Sequence, residues 1–314
     1  MNGAPLPREQ SRFKRIMTSV WEHRAIYSLL LPGIVWYVIF AYLPLGGLSL
    51  AFKHYKANLG IWGSPWVGLE NYTYVIRDAA FWRSIWRTLY INTGRMIFQF
   101  PAPIILALIL NEFRMNRYKK VLQTVYTFPH FLSWVIVASI MTNVLSLDGL
   151  VNGVIRGLGG QPYSFLGTAS TFVPLMYVTD IWKYSGYGSI IYLAAISGIE
   201  QEQYEAADID GATRWQKLWR VTLPSIMPTI IVMFIMTSGT MMSLGFDQTF
   251  NMGNSVVRNS IEVLDMYIYR ITFEATTDFS FATAVSLFRS VANCLFLVAA
   301  DRLSRLMGGN GLMG

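Results

Sequence analysis

The chain has 314 residues, of which 53% are hydrophobic and only 14% charged, with a formal net charge of +7. Soluble domains carry about 25% charged residues, so this balance, with a mean hydropathy of +0.38, excludes an ordinary soluble protein and points to a multi-span membrane protein. The single cysteine, Cys294, excludes an intrachain disulfide, and His23, His54 and His130 are too scattered for metal-ligand spacing.

Residues 1–26 form a basic segment carrying Arg8, Arg12, Lys14, Arg15 and Arg24. The apolar run after it exceeds a signal peptide's core and has no small-residue cleavage site, so it is expected to remain as an anchor. Crossing a bilayer as helix takes roughly 20 apolar residues, and six spans are expected, at 27–51, 86–111, 122–145, 171–197, 224–246 and 281–300. Pro44-Leu45-Gly46-Gly47 and Pro101-Ala102-Pro103 predict local breaks, which are tolerable where protein or water covers the freed backbone. Polar segments at 53–83, 147–170 and 247–280 join the spans on one side, the second of them with room for a short helix. The six-span domain covers 27–303, and 304–314 is a short tail.

Orientation follows from the basic residues. The N-terminal segment, the 113–120 loop, the polar stretch before the fifth span and the tail hold fourteen Lys and Arg, at 8, 12, 14, 15, 24, 114, 117, 119, 120, 214, 217, 220, 302 and 305. The opposite loops hold eight, at 53, 56, 77, 83, 87, 156, 258 and 270. Positive residues favour the cytoplasm, so both termini and residues 199–223 are expected there.

That polar stretch, residues 205–224, reads EAADIDGATRWQKLWRVTLP. Asp210-Gly211 is a turn signal, and Ala212, Trp215, Leu218, Trp219 and Thr222 recur at helical spacing after it. Two short helices joined at Gly211 are expected, with Trp215, Leu218 and Trp219 anchoring the second against the bundle and Pro224 starting the next span. Glu-Ala-Ala, three residues, Gly, nine residues, an aliphatic residue, one residue, Leu-Pro is met by Glu205, Ala206, Ala207, Gly211, Val221, Leu223 and Pro224. The stretch resembles the EAA loop of membrane permeases in binding-protein-dependent ABC importers, with Val where Ile is more usual. An interfacial amphipathic hairpin would meet seven fixed positions only by accident. Gly68-Leu69-Glu70-Asn71-Tyr72 is similar to a stretch after the first span in sugar permeases of the same family.

The resemblance implies an all-α membrane protein of six transmembrane helices with a cytoplasmic coupling helix, in the bacterial inner membrane. It also implies a second permease chain in a heterodimer, two ATPase subunits that bind ATP and Mg, and an extracytoplasmic solute-binding protein. Coupling to the ATPases falls to Glu205, Ala206, Ala207, Asp210, Gly211, Leu223 and Pro224. Unlike the larger maltose permease subunit, this chain shows no big inserted extracytoplasmic domain. There is no GxxxxGK[ST] phosphate loop, catalytic constellation or nucleic-acid motif, so the chain reads as a transport subunit with no cofactor of its own.

Ionisable residues at bilayer depth cost about 2.5–3.5 kcal/mol each on insertion scales and usually face a polar interior. Arg95, Asp180, Lys183 and Arg289 stand out. Asp180 and Lys183, three residues apart, share a helix face where they could pair, which would leave Arg95 and Arg289 to give a positive path. The candidate path residues are Arg95, Asp180, Trp182, Lys183, Tyr184 and Arg289, the alternatives being that Arg95 snorkels outward and Arg289 bonds to helix ends or another subunit. Trp182 and Tyr184 flank Lys183 and suit sugar rings. The expected solute is an oligo- or polysaccharide, acidic and alginate-like on the charge argument. The alternatives are a neutral oligosaccharide, an ion-driven secondary transporter and a non-transport scaffold.

Overall fold

The computed structural model describes residues 21–113, 116–275 and 277–306. Arg8, Arg12, Lys14, Arg15, Arg114 and residues 307–314 lie outside them. Helix dominates, because a bilayer offers the backbone no water and each N–H and C=O must be satisfied within the segment. Among the described residues the only strand-like pairing is one bridge between Lys53 and Trp66.

Helix α1 (Arg24–Tyr37) continues through a π turn, Val38–Tyr42, into a 3-10 segment, Leu43–Phe52. The expected break at Pro44 is thus a change of helical winding rather than an interruption. None of the apolar window of this 29-residue stretch is buried by the rest of the chain. Helix α2 (Glu70–Arg77) follows in the first polar segment. Asp78 caps α3 (Ala79–Phe98) by accepting from the Ala80 N–H at 2.7 Å. Pro101 then restarts the helix as α4 (Pro101–Glu112).

The expected third span, 122–145, is in two pieces. Helix α5 (Asn116–Thr127) ends at a 3-10 turn, Phe128–Phe131, and α6 (Trp134–Leu145) starts afresh from its cap, Ser133. Pro129 is the cause, since it has no N–H to donate and its ring crowds the preceding turn. The short helix expected in 147–170 is α7 (Leu150–Gly157).

Helix α8 (Ala169–Ser197) has Phe172, Met176, Thr179, Asp180, Lys183, Gly186, Ser189 and Tyr192 among its buried residues. Lipid tails are as apolar as leucine side chains, so helix association here rests on close packing and internal hydrogen bonds. Gly186 shows the packing: a Cβ there would lie 1.9 Å from the Tyr126 carbonyl oxygen. Gly188 packs on the Pro103 ring, where a Cβ would lie 3.1 Å from the Pro103 Cβ.

Helices α9 (Gln201–Ile209) and α10 (Arg214–Lys217) form an elbow around Gly211. A π turn, Leu218–Thr222, then leads into α11 (Leu223–Ser238). The helical winding therefore runs unbroken from Arg214 to Ser238, and Pro224 stands in the first turn of α11, as expected. The π turn, in which the Leu223 N–H reaches the Leu218 carbonyl, loosens the winding where the proline ring needs room.

Helix α12 (Phe246–Met252) falls mostly in the polar segment expected outside the bundle, yet Gln248, Thr249 and Met252 are buried. Helix α13 (Leu264–Tyr269) precedes the last helix, α14 (Phe279–Leu306). Among the described residues, five helical stretches are long and apolar enough to cross a membrane, at 24–52, 79–112, 134–157, 214–238 and 279–306. Helix α8, 29 residues long, carries the expected fourth span.

Candidate translocation site

A cavity of about 550 Å³ opens between α3, α4, α8, α11 and α12. Trp134, Tyr184, Phe100, Phe246 and Tyr192 give it aromatic walls, while Asn92, Gln99, Ser185, Thr237, Ser243 and Asp247 add polar groups. The size lies within the usual 300–1,000 Å³ of small-molecule sites, and apolar walls with a few placed polar groups are their usual chemistry.

One wall is a buried polar junction. Arg95 Nε donates to Asp180 Oδ2 at 2.6 Å, its Nη1 to Asn92 Oδ1 at 2.7 Å, and its Nη2 to Gln248 Oε1. Gln248 Nε2 donates in turn to the Met176 carbonyl at 2.9 Å and to Thr179 Oγ1 at 2.8 Å. Three helices, α3, α8 and α12, are joined through one guanidinium. Gly245 makes the approach possible, because with φ +101° it turns into α12 where a Cβ would sit 2.1 Å from Arg95 Nη1.

The Asp180–Lys183 pair that their spacing allows does not form. Asp180 bonds across to Arg95, and Lys183 turns to the break between α5 and α6, donating to the carbonyls of His130 at 2.9 Å and Leu132. Nor is Arg289 a free cation in the path. It pairs with Asp265 on α13, where burial holds the Asp265 carboxyl above the ordinary range and Arg289 only partly offsets this. Of the expected path residues, Arg95, Asp180 and Tyr184 line the cavity, whereas Trp182, Lys183 and Arg289 do not. The charged residues lining it are Arg95, Asp180 and Asp247, so the expected surplus of positive charge is absent from this wall.

Asn92, Trp134, Asp247 and Gln248 are cavity residues that sequence reasoning missed. Asn92 lies three residues before Arg95 on the same helix face, a signal that was there to read. Gln248 and Asp247 gave none, because their segment is polar and reads as an external loop.

The elbow lies apart from this cavity. The Ala212 N–H bonds the Ala207 carbonyl at 2.9 Å and the Gly211 N–H the Asp208 carbonyl at 3.1 Å, with Gly211 left-handed at φ +72°. This paired closure is the usual glycine-dependent end of a helix. Thr213 then caps α10 reciprocally with Gln216. Lys217 pairs with Asp208 at 2.7 Å, and the Tyr204 and Thr222 hydroxyls lie 2.9 Å apart. These bonds brace the elbow. The expected tryptophan anchors do not, since Trp215 and Trp219 are 71% and 61% exposed. Glu205, Ala206, Asp210 and Gly211 are exposed, Ala207 and Leu223 are half-buried, and Pro224 is exposed on the helix that follows.

A helical membrane bundle with an internal cavity and a braced polar elbow has the form of a solute permease. Residues 99–308 match the family described as the binding-protein-dependent transport system inner membrane component, and the chain belongs to it. It is 40% identical over 297 residues to the protein LplB of Bacillus subtilis (strain 168), covering 94% of this chain and 93% of that one. It is 36% identical over 305 residues to the polygalacturonan/rhamnogalacturonan transport system permease protein YteP of the same strain, covering 97% and 95%. A chain of the bacterial alginate ABC transporter, crystallised in complex with alginate pentasaccharide-bound periplasmic protein, superposes with a TM-score of 0.86 at 34% identity. That match covers 95% of this chain and all of the other. This chain is accordingly a membrane transport subunit, not an enzyme.

Proposed function

We propose that this chain is one of two permease subunits of an ATP-driven importer of acidic oligo- or polysaccharides, and that its cavity is part of the solute path. One observation carries the reading: the 550 Å³ cavity walled by Trp134, Tyr184 and Phe246 occurs in a chain related over nearly its whole length to an alginate transporter subunit and a polygalacturonan/rhamnogalacturonan permease. Aromatic faces meet the C–H faces of sugar rings, and the hydroxyl, amide and Asp247 groups beside them can bond ring hydroxyls.

In this reading a solute-binding protein delivers the saccharide, the second permease completes the path, and two ATPase subunits grip the elbow from the cytoplasm. Glu205, Ala206, Ala207, Asp210 and Gly211 meet the ATPase, and Leu223 and Pro224 pass the movement to α11. Arg95 and Asp180 shape the path without carrying net charge. Preference for an acidic solute therefore resides mainly in the binding protein and the second permease, while this chain reads rings and hydroxyls. The charge balance of the cavity favours a second reading, a neutral oligosaccharide.

The test is competition for uptake by the complete transporter in proteoliposomes. Unlabelled oligouronates are expected to suppress uptake of labelled oligouronate at concentrations where maltooligosaccharides of equal length do not. Equal suppression by both would overturn the acidic-solute reading.

A further inference from the structure

Lys183 is a buried cation that the transport reading leaves unused. It is 3% exposed and forms no ion pair among the described residues. Its ammonium group has three N–H donors and no acceptor. They point at the break between α5 and α6: the His130 carbonyl at 2.9 Å, the Leu132 carbonyl, and the Pro129 carbonyl at 3.4 Å. The His130 and Leu132 carbonyls are acceptors left over when Pro129 ends one helix and Ser133 starts the next, whereas the Pro129 carbonyl also accepts from the Leu132 N–H at 3.2 Å. A buried carbonyl without a partner is costly.

The same ammonium group lies 5.7 Å from the Trp134 ring centre and 5.3 Å from that of Tyr184, within reach of cation–π attraction. The Trp134 indole N–H donates to the Tyr184 hydroxyl at 2.9 Å, and both rings line the cavity. Beside them the His130 ring stacks on Tyr187 at 4.0 Å, with the planes 4° apart. Lys183 thus stands behind the wall, bonded to the break on one side and to the two wall aromatics on the other.

We infer that Lys183 is a positioning residue: it replaces the missing helix hydrogen bonds at the Pro129 break and thereby holds Trp134 and Tyr184 as the aromatic wall of the path, without touching solute. The inference deepens the proposed transport role and rests on it for its consequence in uptake. Lys183→Met keeps the stem and removes all three donors. Lys183→Gln keeps two donors without charge, and Lys183→Arg keeps charge and donors.

The experiment uses the complete transporter with Cys294→Ser, which removes the sole cysteine, and Ser185→Cys as reporter, because Ser185 borders the cavity with its hydroxyl oxygen buried. Labelling by a hydrophilic maleimide and uptake of acidic and neutral oligosaccharides are both measured. Lys183→Met is expected to speed labelling about tenfold or more by opening the wall locally, and to lower maximal uptake of every transported sugar by a common factor. Lys183→Gln is expected to fall between Met and wild type, and Lys183→Arg to restore both readouts.

Unchanged labelling in Lys183→Met, or a loss confined to acidic sugars, would overturn the inference in favour of a solute contact. If Lys183→Met does not reach the membrane, Lys183→Gln decides in the same way: faster labelling supports the inference and unchanged labelling refutes it. Labelling is read without sugar, so a wild-type complex that imports nothing would sink the transport reading while the labelling result still judged the positioning role.

Discussion

Each of the three guanidinium nitrogens of Arg95 already bonds within the protein, so its role is to hold helices together. Arg95→Met would strand the buried Asp180 carboxylate, and breaking a buried pair from one side costs about 3–5 kcal/mol. The purified transporter is expected to unfold at a markedly lower temperature in detergent with Arg95→Met. Removing both charges, as Arg95→Met with Asp180→Leu, is expected to recover part of the loss. A double variant no more stable than the single one would show that the pair is not the stabilising contact. The four ionisable residues within apolar runs stood out in the sequence, and Arg95, Asp180 and Lys183 are buried while Arg289 is half-buried, but their partners were not legible. Spacing along one helix offered Lys183 to Asp180, while the true partner of Asp180 lies 85 positions earlier in the chain. What moves Lys183 away is a set of carbonyls created by a helix break, a backbone event that side-chain spacing does not encode.

The elbow was legible down to its turn residue. Asp210-Gly211 predicts a turn between two short helices, and the chain turns there with Gly211 at φ +72°. No atom lies within 4 Å of where a Gly211 Cβ would sit, so a substitution acts through backbone strain rather than collision. Gly211→Val places a β-branched residue in a left-handed conformation at a cost of order 1–3 kcal/mol, and the strain falls on the bonds that close α9. The chain is expected to insert normally, while uptake and solute-stimulated ATP hydrolysis of the complete transporter fall together. Full retention of both would remove the elbow from the coupling mechanism. The third long run was misread as one piece because its apolar residues continue through the break. Pro129 was the visible warning, and hydropathy masked it. The segment 247–280 failed for the opposite reason: Gln248 and Thr249 are polar, which suggests an external loop, yet they are buried because the Arg95 junction satisfies Gln248 and the carbonyls of Gly245 and Phe246 satisfy Thr249.

At the scale of the molecule, composition marked a membrane bundle and the motif marked its class, while the distribution of charge misled. Counting intramembrane cations suggested a positive path, but Arg95 is neutralised by Asp180 and Arg289 by Asp265. The long first helix, whose apolar window is wholly unburied in this chain, leaves a large apolar surface for lipid and for the proposed second permease. An acidic solute would then meet a path only half supplied by these residues, with selection shared among three proteins.

In the proposed mechanism, movement of the elbow by ATPase subunits drives solute through this chain. This coupling is tested most directly by uptake of a labelled oligouronate into proteoliposomes holding both permeases and the ATPases, with the solute-binding protein outside and the energy source varied. Trapped ATP is expected to drive uptake that stops without the binding protein and survives collapse of the proton and sodium gradients. Uptake driven by an imposed ion gradient with no ATP present would rule out ATP-driven coupling through the elbow.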